Sequence, residues 1–171
     1  MFSDVQRSTA LWEAAPKCMI QALRIHNTIF RKAILHYKGY EVKTEGDSFM
    51  VAFSNSLQAV RFCASVQEEL LLADWPTEIL AHPDGQEVKD ENTNCLTFRG
   101  LRVRMVIKST CIVLMKQGVH AGKPLCQIDP VTGRMDYFGK MVNRAARISA
   151  VANGGQVLRM NFFPAPTNVW Q

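Results

Sequence analysis

No apolar run in this 171-residue sequence reaches the ~18 to 20 residues that a membrane span requires. No secretory leader is expected in the first stretch either, because Asp4 and Arg7 interrupt the place where its apolar core would lie. The chain is therefore expected to be soluble. Its five cysteines, Cys18, Cys63, Cys95, Cys111 and Cys126, are an odd number and widely spaced, with no CxxC pair and no histidine at zinc-ligand spacing. Reduced thiols in a cytoplasmic compartment are the expectation. Repeats and low-complexity linkers are absent too, and the length fits one domain. Nor is there a block of like charge. The net +5, from 20 basic and 15 acidic residues, would suit a polyanion. Its densest part, Arg99, Arg102 and Arg104, lies in an alternating apolar segment without an aromatic ladder, so no nucleic-acid partner is expected.

What is present is a core's worth of apolar residues, 47 %, arranged in changing periods. Met19, Leu23, Phe30, Ala33, Ile34 and Tyr37 recur at helical spacing, which predicts a helix from about Pro16 to Tyr37 that Gly39 ends. Two β runs follow, Tyr40 to Thr44 and Ser48 to Phe53, around the polar turn Glu45-Gly46-Asp47, and read as a hairpin with Asp47 at its tip. Leu57, Val60, Ala64, Leu70 and Leu71 predict a second helix, and His82 to Asn94 a surface loop. Leu101, Val103 and Met105 alternate as a strand. Val142, Ala145, Ala146 and Ser149 mark a third helix, which Asn153-Gly154-Gly155 is expected to close. The fold class is α/β, an α+β sandwich with helices over a mostly antiparallel sheet.

The polar residues fall at places where chemistry is possible. Asp4 ends a strand remnant and precedes Val5-Gln6-Arg7-Ser8-Thr9, where a turn with free N–H groups and two hydroxyls can cradle phosphate oxygens. If the first strand lies beside the hairpin, Asp4 and Asp47 converge as ligands for a hard cation; taken singly, each aspartate equally well caps a turn. Asn143 and Arg147, four apart, project from one helix face, fit to hold a ribose and a phosphate or simply to be solvated. Lys43 and Asp136 are ordinary charges when considered alone.

Four runs in order resemble the catalytic domain of class III adenylyl cyclases, closest to the fungal type: Phe2 to Glu13 (FSDVQRSTALWE), Gly39 to Phe53 (GYEVKTEGDSFMVAF), Asp129 to Gly139 (DPVTGRMDYFG) and Met141 to Ser149 (MVNRAARIS). The resemblance implies a ferredoxin-like class III nucleotide cyclase fold over residues 1–157. It also implies conversion of ATP to 3′,5′-cyclic AMP and pyrophosphate by a two-metal mechanism. By the same likeness Asp4 and Asp47, with the carbonyl of Val5, would bind two Mg²⁺ or Mn²⁺ ions. Lys43 and Asp136 would read the adenine edge, which disfavours a guanylyl cyclase. Asn143 would orient the ribose and Arg147 stabilise charge on the α-phosphate, while Ser8, Thr9 and Lys123 would contact phosphate. The site would be shared across a homodimer. A larger protein, peripheral at the cytoplasmic face of a membrane and switched by a small-GTPase-type activator, is implied as well.

Two segments depart from the family pattern. Val106 to Gln117 (VIKSTCIVLMKQ) reads as a non-family insert, and residues 158–171 as a non-family tail that lacks a further phosphate-binding lysine. Translated intron sequence in a gene fragment would give both. Two other classes stay open: a catalytically inactive cyclase-homology domain acting as dimer partner or nucleotide sensor, and a basic ferredoxin-like RNA binder, which would need exposed aromatics on adjacent strands.

Overall fold

The computed structural model describes residues 1–108, 125–149 and 151–160. In chain order these form β1 (Phe2–Val5), α1 (Ser8–Ala14), α2 (Pro16–His36), β2 (Tyr40–Glu45), β3 (Ser48–Ala52), α3 (Ser56–Leu72) and α4 (Thr77–Ala81). There follow β4 (Val88–Lys89), β5 (Leu96–Phe98), β6 (Val103–Lys108), β7 (Leu125–Ile128), β8 (Met135–Phe138), α5 (Lys140–Ser149) and β9 (Val157–Met160). The main sheet has the order β2-β3-β1-β6-β9. All its pairings are antiparallel except β6 with β9, as the expected mostly antiparallel sheet requires.

Local sequence explains the helices on its covered face. Pro16 opens α2 at a position where its missing N–H costs nothing, and Asn55 Oδ1 accepts from the Leu57 N–H at 2.7 Å to cap α3. The buried stripes of the two helices, including Met19, Phe30 and Ile34 on α2 and Phe62, Val66 and Leu70 on α3, meet Val5, Phe49, Val51, Val103 and Met105 from the sheet. Phe30 stacks on Phe49 with centroids 4.7 Å apart and meets Phe62 edge-on at 5.7 Å. His26 is wholly buried against this cluster, and burial lowers its pKa to about 4.

Several expectations need correction. β6 continues through Val106, Ile107 and Lys108, with Phe2 opposite Val106, so the first three residues of the supposed insert are core strand; the apolar pattern of Val103 and Met105 simply runs on. Residues 109–117 and Lys123 lie outside the described residues. Leu158 to Met160, assigned to the tail, complete β9, with Leu158 opposite Val106; 161–171 are outside the description. The predicted loop His82–Asn94 contains β4, which pairs with β5. The Gly154-Gly155 pair does not close α5, which ends at Ser149. It docks the chain on β6 instead. Gly154 N–H donates to Gln6 Oε1 at 2.7 Å and Gly155 N–H to the Val103 carbonyl at 2.8 Å, and a Cβ on Gly154 would come within 2.5 Å of Arg102 Cβ.

The arginines Arg99, Arg102 and Arg104 do not form a basic face. Arg99 pairs with Glu87 at 3.0 Å, Arg102 donates to the Pro83 carbonyl at 3.0 Å, and Arg104 turns to Asp4. No described helix is long and apolar enough to cross a membrane.

Candidate active site

β1 lies between β3 and β6, so one short strand brings three segments together. On one side Phe2 faces Met50; on the other Asp4 stands opposite Arg104. Gly46-Asp47 closes the β2–β3 hairpin as a two-residue loop, with Gly46 at a φ of 61° that only glycine adopts freely. Ser48, next to Asp47, donates from Oγ to Asp4 Oδ1 at 3.0 Å. Asp4 and Asp47 are thereby carried to neighbouring strand ends.

The two carboxylates differ in their surroundings. Asp47 Oδ2 is buried without a hydrogen-bond partner among the described residues, a costly state for a carboxylate oxygen unless a cation answers it. Asp4 is engaged. Arg104 Nε donates to its Oδ2 at 2.9 Å and Arg104 Nη2 donates to the same oxygen. The described residues contain no group of three His, Cys, Asp or Glu side chains able to cage an ion. Two carboxylates suit magnesium or manganese, which take their remaining ligands from phosphate and water, so the donor set fits such ions. Val5 buries its side chain in the core, leaving its backbone carbonyl as the group it could offer. Ser8 and Thr9 open α1 just after Arg7, whose φ of 55° turns the chain.

Across the sheet, Lys43 on β2 and Asp136 on β8 meet, Nζ to Oδ2 at 3.4 Å. They share a cavity of about 480 Å³ with Arg31, Glu41, Thr44, Asp129, Thr132 and Arg134. Lys43 also lies 3.6 Å from Glu45. Tyr40 fastens the two strands, its hydroxyl accepting from the Met135 N–H at 3.0 Å. The Val131 N–H and the Thr132 hydroxyl hold the Asp129 carboxyl below the usual range, and the Lys43 charge adds to this. Burial pushes Glu41 up, but hydrogen bonds from Arg31 and Thr44 outweigh it and leave that carboxyl below the usual range as well. A somewhat larger groove, about 560 Å³, lies between α2 and the end of α3, and none of the predicted site residues lines it.

Asn143 and Arg147 project from α5, both exposed, while Ala145 is buried as the helix packs against β6, β1 and β8. The structure thus brings together Lys43 with Asp136 and sets Asp4 beside the Asp47 turn; Lys123 lies outside the described residues. Arg104 and Ser48 were missed from sequence. Only the β1–β6 register puts Arg104 against Asp4, although its alternation with Val103 and Met105 already placed it off the core face.

A sequence model described as the adenylate and guanylate cyclase catalytic domain matches residues 1–160. The chain belongs to that family. Among relatives of this cyclase domain, an adenylate cyclase of Mycosarcoma maydis is 49 % identical over 158 residues, covering 92 % of this chain and 6 % of the relative. One of Neurospora crassa is 46 % identical over 163 residues, covering 95 % of this chain and again 6 % of the relative. The cyclase domain thus spans a small fraction of the length of these curated relatives. A solved structure described as adenylate cyclases from Trypanosoma brucei in their monomeric state superposes with a TM-score of 0.72 at 33 % identity, covering 92 % of this chain and 69 % of that one.

Proposed function

We propose that this cyclase domain makes 3′,5′-cyclic AMP and pyrophosphate from ATP, at sites shared between two copies of the chain. The observation that carries the reading is the Lys43–Asp136 contact inside one cavity. The ammonium donates to a ring nitrogen and the carboxylate accepts from the exocyclic amine of adenine; guanine would present a carbonyl to that carboxylate. Similarity of 46 to 49 % to proteins named adenylate cyclase points the same way.

Asp4, Asp47 and the Val5 carbonyl would hold the Mg²⁺ or Mn²⁺ pair, and a bound pair supplies a lowered pKa at the ribose 3′-hydroxyl and neutralises phosphate charge. Asn143 orients the ribose. The 3′-oxygen attacks the α-phosphorus, its proton passes to solvent water, and the bond to pyrophosphate breaks. Arg147 donates to the α-phosphate oxygens as charge grows on them, and Ser8, Thr9 and Lys123 hold the remaining phosphates. The homodimer draws support from the β7–β8 hairpin, where Leu125, Ile128, Val131 and Phe138 are 71, 60, 90 and 45 % exposed, an apolar edge without a partner among the described residues that a second copy can cover. Membrane association and a small-GTPase-type activator rest on the resemblance and on the greater length of the relatives.

Arg104 on Asp4 favours a second reading, a silent cyclase-homology domain whose carboxylate is permanently neutralised. One assay separates the two. Full-length protein given ATP and Mn²⁺ is expected to release 3′,5′-cyclic AMP, with GTP turned over at least ~10-fold more slowly. No cyclic product, or equal use of both nucleotides, would overturn the proposal.

A further inference from the structure

The strand that carries Lys43 is not regular. Tyr40 and Glu41 pair with Ala52 and Val51, but Lys43, Thr44 and Glu45 pair with Met50, Phe49 and Ser48, so the register slips by one residue at Val42. A bulge of this kind redirects the side chains that follow it. Val42 remains buried, and Lys43 leaves the sheet toward Asp136. A bulge is also a place where the ladder loses restraint, because the extra residue has no partner opposite.

Here side chains supply that restraint. Thr44 Oγ1 donates to Glu41 Oε1 at 2.8 Å, spanning the slip from one side to the other. Arg31 on α2 grips the same carboxylate with both arms, Nε to Oε2 at 3.2 Å and Nη2 to Oε1 at 3.3 Å. The guanidinium is in turn 5.7 Å from the ring centroid of Phe49, in the core. The half-buried Glu41 therefore ties the bulge to the helix layer, one residue before Val42, and all three bracing residues line the cavity that holds Lys43 and Asp136.

We propose that Glu41 is a positioning residue for purine selection: by holding Thr44 and Arg31 across the bulge at Val42, it fixes the direction in which Lys43 meets Asp136. Its effect on the base is exerted through Lys43. This rests on the adenine-reading role proposed for Lys43 and Asp136. Loss of the brace lets Lys43 leave Asp136, keeping only Glu45 or turning into solvent, and the site then keeps its phosphate chemistry while losing its grip on the base.

The test compares Glu41→Ala, Thr44→Val and Thr44→Ser in the full-length protein, with melting temperature, binding of a fluorescent ATP analogue competed by ATP and by GTP, and steady-state kinetics. Glu41→Ala and Thr44→Val are expected to raise KM for ATP and weaken analogue binding about 10-fold, to shrink the ATP-over-GTP preference similarly, and to change kcat less than about 3-fold. Thr44→Ser, which keeps the hydroxyl, should behave as wild type. Unchanged KM and nucleotide preference in Glu41→Ala and Thr44→Val, or a fall confined to kcat, would overturn the proposal, as would melting losses that Thr44→Ser shares. Wild-type protein that prefers ATP in binding but forms no cyclic product would sink the cyclase reading alone and leave Glu41 to be judged by binding. Wild-type protein with no base preference would sink both.

Discussion

The two ends of this domain are built on opposite principles. Where α2 and α3 cover the sheet, Phe30, Phe49, Phe62, Met19 and Val66 are fully enclosed, and only the outer faces of the helices leave apolar groups such as Leu35 and Leu72 in solvent. Around β7, β8 and α5, Leu125, Ile128 and Val131 stand in solvent and Asn143 and Arg147 are exposed, while at the β2–β3 turn Asp47 keeps a buried oxygen without a hydrogen-bond partner among the described residues. The interior of the first region is complete in one copy. On the proposed reading the second offers groups to cations, nucleotide and a second subunit, and unsatisfied chemistry, rather than cavity size, marks it.

Substitutions in the two regions should therefore fail in different ways. Asp47→Asn is expected to abolish cation-dependent cyclic AMP formation, by at least ~10³-fold in kcat, with melting temperature almost unchanged. Turnover near wild type would remove Asp47 from the site. Phe30→Ala, in the closed region, should do the reverse, costing about 3 to 5 kcal/mol in denaturant unfolding while the surviving folded fraction keeps its KM for ATP. Arg147→Ala should lower kcat by ~10² to 10³ with little effect on stability, since the side chain is exposed.

Acid sharpens the same contrast through His26. Its folded pKa, lowered to about 4 by burial, lies below the ordinary 6.5, so the unfolded chain binds the extra proton between these values. Stability is then fully present above about pH 6.5 and falls as pH drops toward 4, by ~3 kcal/mol in all. Urea unfolding across that range should show a steeper fall in wild type than in His26→Phe, which keeps only what carboxylates such as Glu41 and Asp129 contribute; equal slopes would contradict it. The smallest effect is expected at Arg104. Arg104→Gln removes the cation that competes for Asp4 and should tighten Mn²⁺ binding, followed by electron paramagnetic resonance without nucleotide, by about 3- to 10-fold.

Much of this was legible in the residues. The period of α2, the hairpin around Gly46-Asp47 and the polar spacing on α5 are local patterns, and local patterns survive into structure. β4, β9 and the last three residues of β6 were not legible, because two- to four-residue strands are defined by the partner they find. The Lys43–Asp136 contact joins residues 93 apart, which no local pattern prints. The Arg104–Asp4 pair and the bulge at Val42 depend on register, which a single sequence does not print.

The most direct test of a site divided between two copies is complementation. Asp47→Asn and Arg147→Ala proteins, each inactive alone, are unfolded together, refolded as a mixture and assayed with ATP and Mn²⁺. Random pairing leaves one intact site in half of the dimers, so activity should return to about a quarter of wild type. A mixture as silent as its two components would show that the carboxylates and the arginine serve one and the same copy, and the shared-site account would fail.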